Sequence, residues 1–298
     1  MNQHVKPGAA AVTTRPAGIE TRDGVRLFYR DWAPGREGGG GPLVLMAGWG
    51  LPSDAWGAVM ARLCEAGLRC VAYDRRGVGR SDDPGRGYDL DTLADDLAAV
   101  LEALDLTGVT LVGHSMASAE MTRYLTRHGD GRVARVVFLA PTTPCLGRRD
   151  DNPNGLDPTV FAAVRAGVAA DFPRWMDDNG KGFLTPDAAE GTMTWIRAMM
   201  TRASIKGLVD CNRAMTEADL RAEVAAIDMP ALVIQGDADL SGPLALTGAP
   251  TAALLKHGAL KVYEGGPHGL MFTHADALAA DLAGFAVGET FTARQACP

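Results

Sequence analysis

Val109-Thr110-Leu111-Val112-Gly113-His114-Ser115-Met116-Ala117 is the stretch on which the reading of this chain turns. A short apolar and β-branched run leads straight into a serine set between small residues. The run reads as a buried strand. The five residues that end it read as a nucleophile elbow, in which a strand turns abruptly into a helix and lifts the serine oxygen clear of the sheet. The serine backbone is strained in such a turn. Side chains at its first and fifth positions would meet neighbouring backbone, so small residues are needed there. Gly113 fills the first, and Ala117, where glycine is commoner, fills the fifth. The bare pattern also arises by chance, as an ordinary serine in a strand-helix loop, so its surroundings decide.

Outward from the elbow the chain alternates. A helix running to about Arg127 follows it, and then a strand, Val133 to Leu139. Before it, Leu43 to Ala47 is a continuous apolar run bounded by glycine, the form of a strand buried on both faces of a parallel sheet. A helical segment, Asp54 to Ala66, precedes the strand Cys70 to Tyr73. Leu90, Leu93, Ala94, Leu97, Val100, Leu101 and Leu104 form one apolar stripe at helical spacing, with Asp89 or Asp91 as its cap. Nearer the start, Ile19 to Thr21 and Val25 to Trp32 read as two strands joined at Asp23-Gly24, a hairpin signal. Gly38 to Gly41 reads as a loose connector. Strand alternating with helix predicts an α/β fold, a mostly parallel central sheet flanked by helices on both faces.

The rhythm changes between residues 145 and 225, where β-branched runs stop and Phe161, Val164, Val168, Phe172, Trp175, Met193 and Trp195 lie in helical surroundings. Alternation resumes with Ala231 to Ile234, Leu260 to Tyr263 and a last helix from about Ala275 to Phe285. The expected organisation is a flexible tail over 1–18, an α/β core over 19–144 and 226–287, a helical cap over 145–225, and a C-terminal tail over 288–298.

With 298 residues, 47% of them hydrophobic, the chain can bury one substantial core. A formal charge of -7 without a dense Lys/Arg cluster argues against nucleic acid and suits small ligands. The five cysteines are scattered, with no C-x-x-C pair, which points to neither a disulfide framework nor a zinc site and fits a reducing, cytoplasmic setting. No apolar stretch reaches the roughly 20 residues of a membrane span, and the first 18 residues lack the apolar segment of a signal peptide. A soluble protein without membrane partners is expected.

A serine hydroxyl becomes a useful nucleophile only with a histidine base and an acid to orient it. Of the six histidines, His4 lies in the tail, His114 within the elbow, and His128, His257 and His274 on or beside helices. His268 differs, because Gly265-Gly266-Pro267-His268-Gly269 is a glycine-rich loop directly after the last strand, at the sheet edge where open α/β proteins place their sites. The loop after Ala231 to Ile234 offers two acids, Asp237 and Asp239. Either gives the chain order Ser, Asp, His. Charge developing on a carbonyl oxygen needs backbone donors; Met116 N–H and Trp49 N–H, the latter in Ala47-Gly48-Trp49-Gly50, are the candidates for an oxyanion hole.

Several of these stretches carry a wider likeness. Met46-Ala47-Gly48-Trp49, Tyr73 to Ser81, Gly113-His114-Ser115-Met116, Gly236-Asp237-Ala238-Asp239 with Pro243, and Gly266-Pro267-His268-Gly269-Leu270 resemble the α/β-hydrolase superfamily. Within it the chain is most similar to the cofactor-free bacterial haloperoxidase/arylesterase group, a likeness running from about residue 18 to 287 and including the cap segment Arg165 to Val168. The resemblance implies an α/β-hydrolase fold with Ser115 as nucleophile and His268 as base. In that family the acid stands three residues after the glycine with a proline four residues beyond, which implies Asp239 rather than Asp237. Asp74 and Arg75 to Ser81 match a loop with a structural part.

Three departures stand out: Ala47 where the family has histidine, Gly50 where its haloperoxidase members have proline, and Ala117-Ser118 where glycines are usual. The expected activity is that of a serine hydrolase cleaving a small-molecule ester or lactone through an acyl-enzyme, with no metal and no organic cofactor. Acyl transfer or perhydrolysis, carbon-carbon bond hydrolysis on the same triad, and a non-catalytic ligand-binding role are the alternatives. Trp175, Trp195, Met199 and Met200 are candidate pocket walls, core packing being the other reading of helix-spaced Met and Trp. A homo-oligomer is a family-level expectation.

Overall fold

A small antiparallel pair, β1 (Ile19–Glu20) with β2 (Arg26–Leu27), opens the part of the chain that the computed structural model describes, residues 17–34 and 39–291. Most of the N-terminal tail, Gly38 of the connector and residues 292–298 lie outside it. The turn is closed by the Thr21 hydroxyl, which accepts from Val25 N at 3.0 Å. The strand expected over Val25 to Trp32 is broken at Phe28. Its N–H donates to Ser81 Oγ and its carbonyl accepts from Asp74 N, each at 2.9 Å, so the loop after the next strand but one takes its backbone groups. The chain thereby leaves the hairpin, and β3 (Tyr29–Trp32) enters a different sheet.

That sheet has seven strands in the order β3-β5-β4-β6-β7-β8-β9, comprising β4 (Leu43–Met46), β5 (Cys70–Tyr73), β6 (Val109–His114), β7 (Val133–Leu139), β8 (Ala231–Gly236) and β9 (Gly258–Tyr263). Only β3 is antiparallel to its neighbour. β4, β5, β6 and β8 are buried along their whole length, as their continuous apolar runs require. Their alternating side chains feed two cores. Leu111 packs in the core beneath α2 (Leu90–Ala103) and α3 (Ala117–His128), whereas Val112 packs in the core beneath α1 (Gly57–Glu65) and the last helix. A tighter 3-10 turn, Ser53–Trp56, begins the segment read as one helix from Asp54. Asp89 caps α2 by accepting from Thr92 N.

Between β7 and β8 the chain forms α4 (Pro158–Ala170), α5 (Phe172–Asn179), α6 (Glu190–Met200), α7 (Ile205–Glu217) and α8 (Arg221–Ala226). Val168, Phe172, Met176 and Leu208 give this layer its own apolar cluster, which Trp49 joins from the sheet side. After β8 come α9 (Gly248–Leu254), α10 (Leu270–Thr273) and α11 (Ala275–Ala286). α9 and α10 have no counterpart in the sequence reading, being too short for an amphipathic stripe to register. Among the described residues no helix is long and apolar enough to cross a membrane.

Candidate active site

The elbow forms where β6 meets α3. Ser115 sits at φ +55°, a left-handed conformation that costs a non-glycine residue about 1–2 kcal/mol. The strain is held by hydrogen bonds. Ser115 N donates to Leu139 O at 2.9 Å, and the Ser115 carbonyl accepts from Ser118 Oγ at 2.6 Å and Thr142 Oγ1 at 3.3 Å. Ser118 Oγ in turn accepts from Thr142 N at 3.1 Å. The serine at the place of a usual glycine thus ties the elbow to the loop after β7. A Cβ at Gly113 would lie 2.8 Å from Ala117 O and 2.9 Å from Ser118 N, which is why the first position must be glycine.

His268 reaches the same point from the loop after β9. Its Nε2 lies 2.9 Å from Ser115 Oγ, and its Nδ1 lies 2.8 Å from Asp239 Oδ2. All three side chains are largely buried. The other oxygen of Asp239 accepts from Ser241 N and Gly242 N, at 2.9 and 2.8 Å, and Gln235 Nε2 donates to Oδ2 at 3.1 Å. Burial opposes ionisation of Asp239, but the facing His268 and these donors outweigh it and hold the carboxyl below its ordinary value. Asp237, the rival acid, is exposed and accepts from Gly265 N at 2.6 Å, so it braces the loop that carries His268.

Met116 follows Ser115 directly, and Trp49 borders the same cavity as Ser115 and His268. Met116 is the N-cap of α3, and Trp49 lies in the loop after β4. Neither of their backbone N–H groups has an acceptor among the described residues. The loop lacks the histidine of its look-alikes, but Arg75 holds it. This buried guanidinium donates to Ala47 O at 2.8 Å and Gly48 O at 3.2 Å, and it pairs with Glu120 of α3, Nε to Oε1 at 2.7 Å. One cation therefore fixes both flanks of the candidate oxyanion hole. The Trp49 indole donates to Leu208 O of α7 at 2.8 Å and meets Trp175 edge-on at 5.5 Å.

His114 completes the interior. Its Nε2 lies 3.2 Å from His268 O, so that nitrogen carries the proton, and its buried Nδ1 has no partner among the described residues. Burial, and then the nearby His268, push its pKa down to about 3, which keeps the ring neutral.

These groups open into a cavity of about 560 Å³ that includes Ser115 and His268 and is walled mainly by apolar residues of the helices between β7 and β8. Of the four expected wall residues, Trp175 and Met200 line it. Trp195 and Met199 do not. On α6 the lining face is Met193, Ile196, Arg197 and Met200, at helical spacing. Trp195 points elsewhere, 45% exposed and edge-on to Phe272 at 5.7 Å, while Met199 is buried in the core beside α1 and α11. The other described histidines have local partners: His128 meets Asp95 at 2.7 Å, His257 meets Asp228 at 3.0 Å, and His274 meets Thr273 at 2.7 Å. Arg75, Glu120, Ser118 and His114 are the site-supporting residues that spacing alone did not single out. Arg75 sits inside the Tyr73 to Ser81 motif, but its target loop is distant in sequence.

Comparison with known proteins agrees with this architecture. The family model for the alpha/beta hydrolase fold matches residues 41–275. A non-heme chloroperoxidase of Kitasatospora aureofaciens is 39% identical over 263 residues, covering 86% of this chain and 93% of that protein. A bifunctional esterase/perhydrolase of Acinetobacter calcoaceticus is 34% identical over 278 residues, covering 90% of this chain and 98% of its own. The crystal structure of a bromoperoxidase from Bacillus anthracis superposes with a TM-score of 0.82 at 34% identity, covering 89% of this chain and 97% of that one. With its sheet, its elbow and its relatives in agreement, this chain belongs to the α/β-hydrolase family and is an enzyme of the hydrolase type.

Proposed function

We propose that the chain is a serine hydrolase that cleaves a small-molecule carboxylic ester or lactone, with Ser115, His268 and Asp239 as its triad. The observation that carries the reading is the continuous line from Asp239 Oδ2 through both nitrogens of His268 to Ser115 Oγ, with gaps of 2.8 and 2.9 Å. Ser115 Oγ attacks the carbonyl carbon as His268 Nε2 takes its proton. Asp239 holds Nδ1 protonated and stabilises the imidazolium. The Trp49 and Met116 N–H groups receive the developing oxyanion, each donor supplying about 3 kcal/mol of transition-state stabilisation. His268 then gives the proton to the departing alcohol oxygen as the C–O bond breaks. A water, deprotonated by His268, attacks the acyl carbon; the Ser115 Oγ–C bond then breaks, Oγ takes the proton back from His268, and the acid leaves.

A second reading, transfer of the acyl group to peroxide, is favoured by the esterase/perhydrolase among the relatives. Gly50 weighs against it. Its φ of +72° is closed to proline, the residue that the resemblance to haloperoxidases leads one to expect there.

A fluorophosphonate probe, followed by peptide mapping, tests the mechanism. Ser115 is expected to carry the adduct, and His268→Ala to slow labelling by at least about 100-fold. Labelling elsewhere, or at an unaltered rate in His268→Ala, would sink the mechanism. Peracetic acid formation from acetate and peroxide distinguishes the second reading.

A further inference from the structure

One buried amide in the cavity wall has donors and no acceptor. Asn212 on α7 is 4% exposed and lines the same cavity as Ser115. Its Oδ1 accepts from Arg165 Nη1 at 3.3 Å. A guanidinium only donates, so the amide carbonyl faces Arg165 and the NH2 is turned away from it. Nδ2 has no acceptor among the described residues, and Asn212 is not among the side chains whose polar atoms are sealed from solvent without a partner. The amide NH2 therefore keeps some exposure, and the residue that bears it lines the cavity.

The orientation is reinforced from below. Arg165 Nη1 also reaches Thr216 Oγ1 at 3.4 Å, and that hydroxyl donates to the Asn212 carbonyl of the main chain at 2.8 Å. Arg165 lies behind the wall, in a separate small cleft with Glu217, and does not line the main cavity. Phe161 and Val164 of α4 and Met215 of α7 make the wall shared with Asn212 largely apolar, and the Thr216 hydroxyl that also lines it is already engaged with Arg165 and the Asn212 carbonyl. A fixed donor in such a wall favours a ligand that brings an oxygen to it, and a site built to hydrogen-bond discriminates strongly against analogues lacking the partner.

We propose that Asn212 determines specificity: its Nδ2 donates to a second oxygen of the substrate. The favoured substrates are then esters or lactones whose arm lodged between α4 and α7 carries a keto or similar carbonyl oxygen. Arg165 is the positioning residue that keeps the amide turned toward the cavity. The inference rests on the hydrolase reading of Ser115.

The test uses p-nitrophenyl esters of straight-chain oxo acids, with the keto group moved one carbon at a time, each paired with the hydrocarbon ester of equal length. The best oxo ester is expected to exceed its partner about tenfold in kcat/KM, equivalent to ~1.4 kcal/mol. The ratio falls to near unity in Asn212→Leu and in Asn212→Asp, which has no donor, and it shrinks in Arg165→Met, where the amide is free to flip. If Asn212→Leu does not fold, Asn212→Asp, of the same shape, carries the test. An absent oxo preference in the wild type, or one that survives both Asn212 changes, overturns the proposal. Fluorophosphonate labelling of the same preparations separates the failures. A labelled wild type without oxo preference loses only the role of Asn212, whereas an unlabelled one loses the hydrolase mechanism.

Discussion

His114 is a buried base with nothing to do in the proton transfers, and its burial has a measurable consequence. The unfolded ring binds a proton near pH 6.5, whereas the folded ring resists until about 3. Between those values the unfolded state holds more protons, so stability is complete above about pH 6.5 and is lost as the pH falls through this window. Each unit of separation is worth ~1.4 kcal/mol. His114→Gln removes the titration. In urea unfolding, the stability gap between wild type and His114→Gln should therefore narrow steadily from pH 6.5 towards 4; a constant gap would show that His114 is not buried neutral. At this scale the sequence was informative where a residue answers to its neighbours in the chain. Gly113 could be read from the steric needs of the turn, and the placement of His268 from its glycine-rich loop. Asp239 and Asp237 could not be separated by local chemistry, because their difference lies in partners 29 and 28 residues away.

At the level of elements, the loop after β4 and the N-terminus of α3 must keep a fixed separation for two N–H groups to converge on one oxygen. Arg75 bridges them. Removing one partner of a buried ion pair leaves an uncompensated charge and costs about 3–5 kcal/mol. Arg75→Met should lose that much in urea unfolding, and Arg75→Met combined with Glu120→Gln should recover most of it. The double variant should nonetheless keep a depressed kcat on p-nitrophenyl acetate, because Ala47 O and Gly48 O have lost their donor. Recovery of kcat along with stability would reduce Arg75 to a structural part. Element boundaries were most legible for the buried strands, where Cys70–Tyr73 and Val133–Leu139 stand as read. The strand over Val25 to Trp32 was misread at Phe28 because the partners that interrupt it, Asp74 and Ser81, act across the fold.

Over the whole molecule, the sheet and the helices between β7 and β8 are joined at the site by Trp49. Its backbone serves the candidate oxyanion hole while its indole holds α7 through Leu208 O. Trp49→Phe keeps an aromatic ring but deletes that bond, a loss of about 1 kcal/mol. Hydrogen exchange should then accelerate in residues 205–217 more than in the strands, and uniform exchange rates would exclude the tether. The parallel sheet was legible because its strands are continuous apolar runs. The orientation of the helices over the cavity was not, since periodicity marks an apolar face without saying whether it meets core or open space; Met199 and Met200, adjacent on α6, divide between the two.

The division of labour along the chain also bears on descent. Under the proposed function, the side chains that make and break bonds stand on loops at the ends of β6, β8 and β9, while most of those lining the cavity stand on α4 to α7. On that reading, substitutions within residues 158–217 are expected to change which substrates enter while leaving Ser115, His268 and Asp239 in place. Arg75 and Ser118, which brace the reactive loops from outside them, mark the limit of that freedom, as does Trp49, whose own N–H is a candidate oxyanion donor.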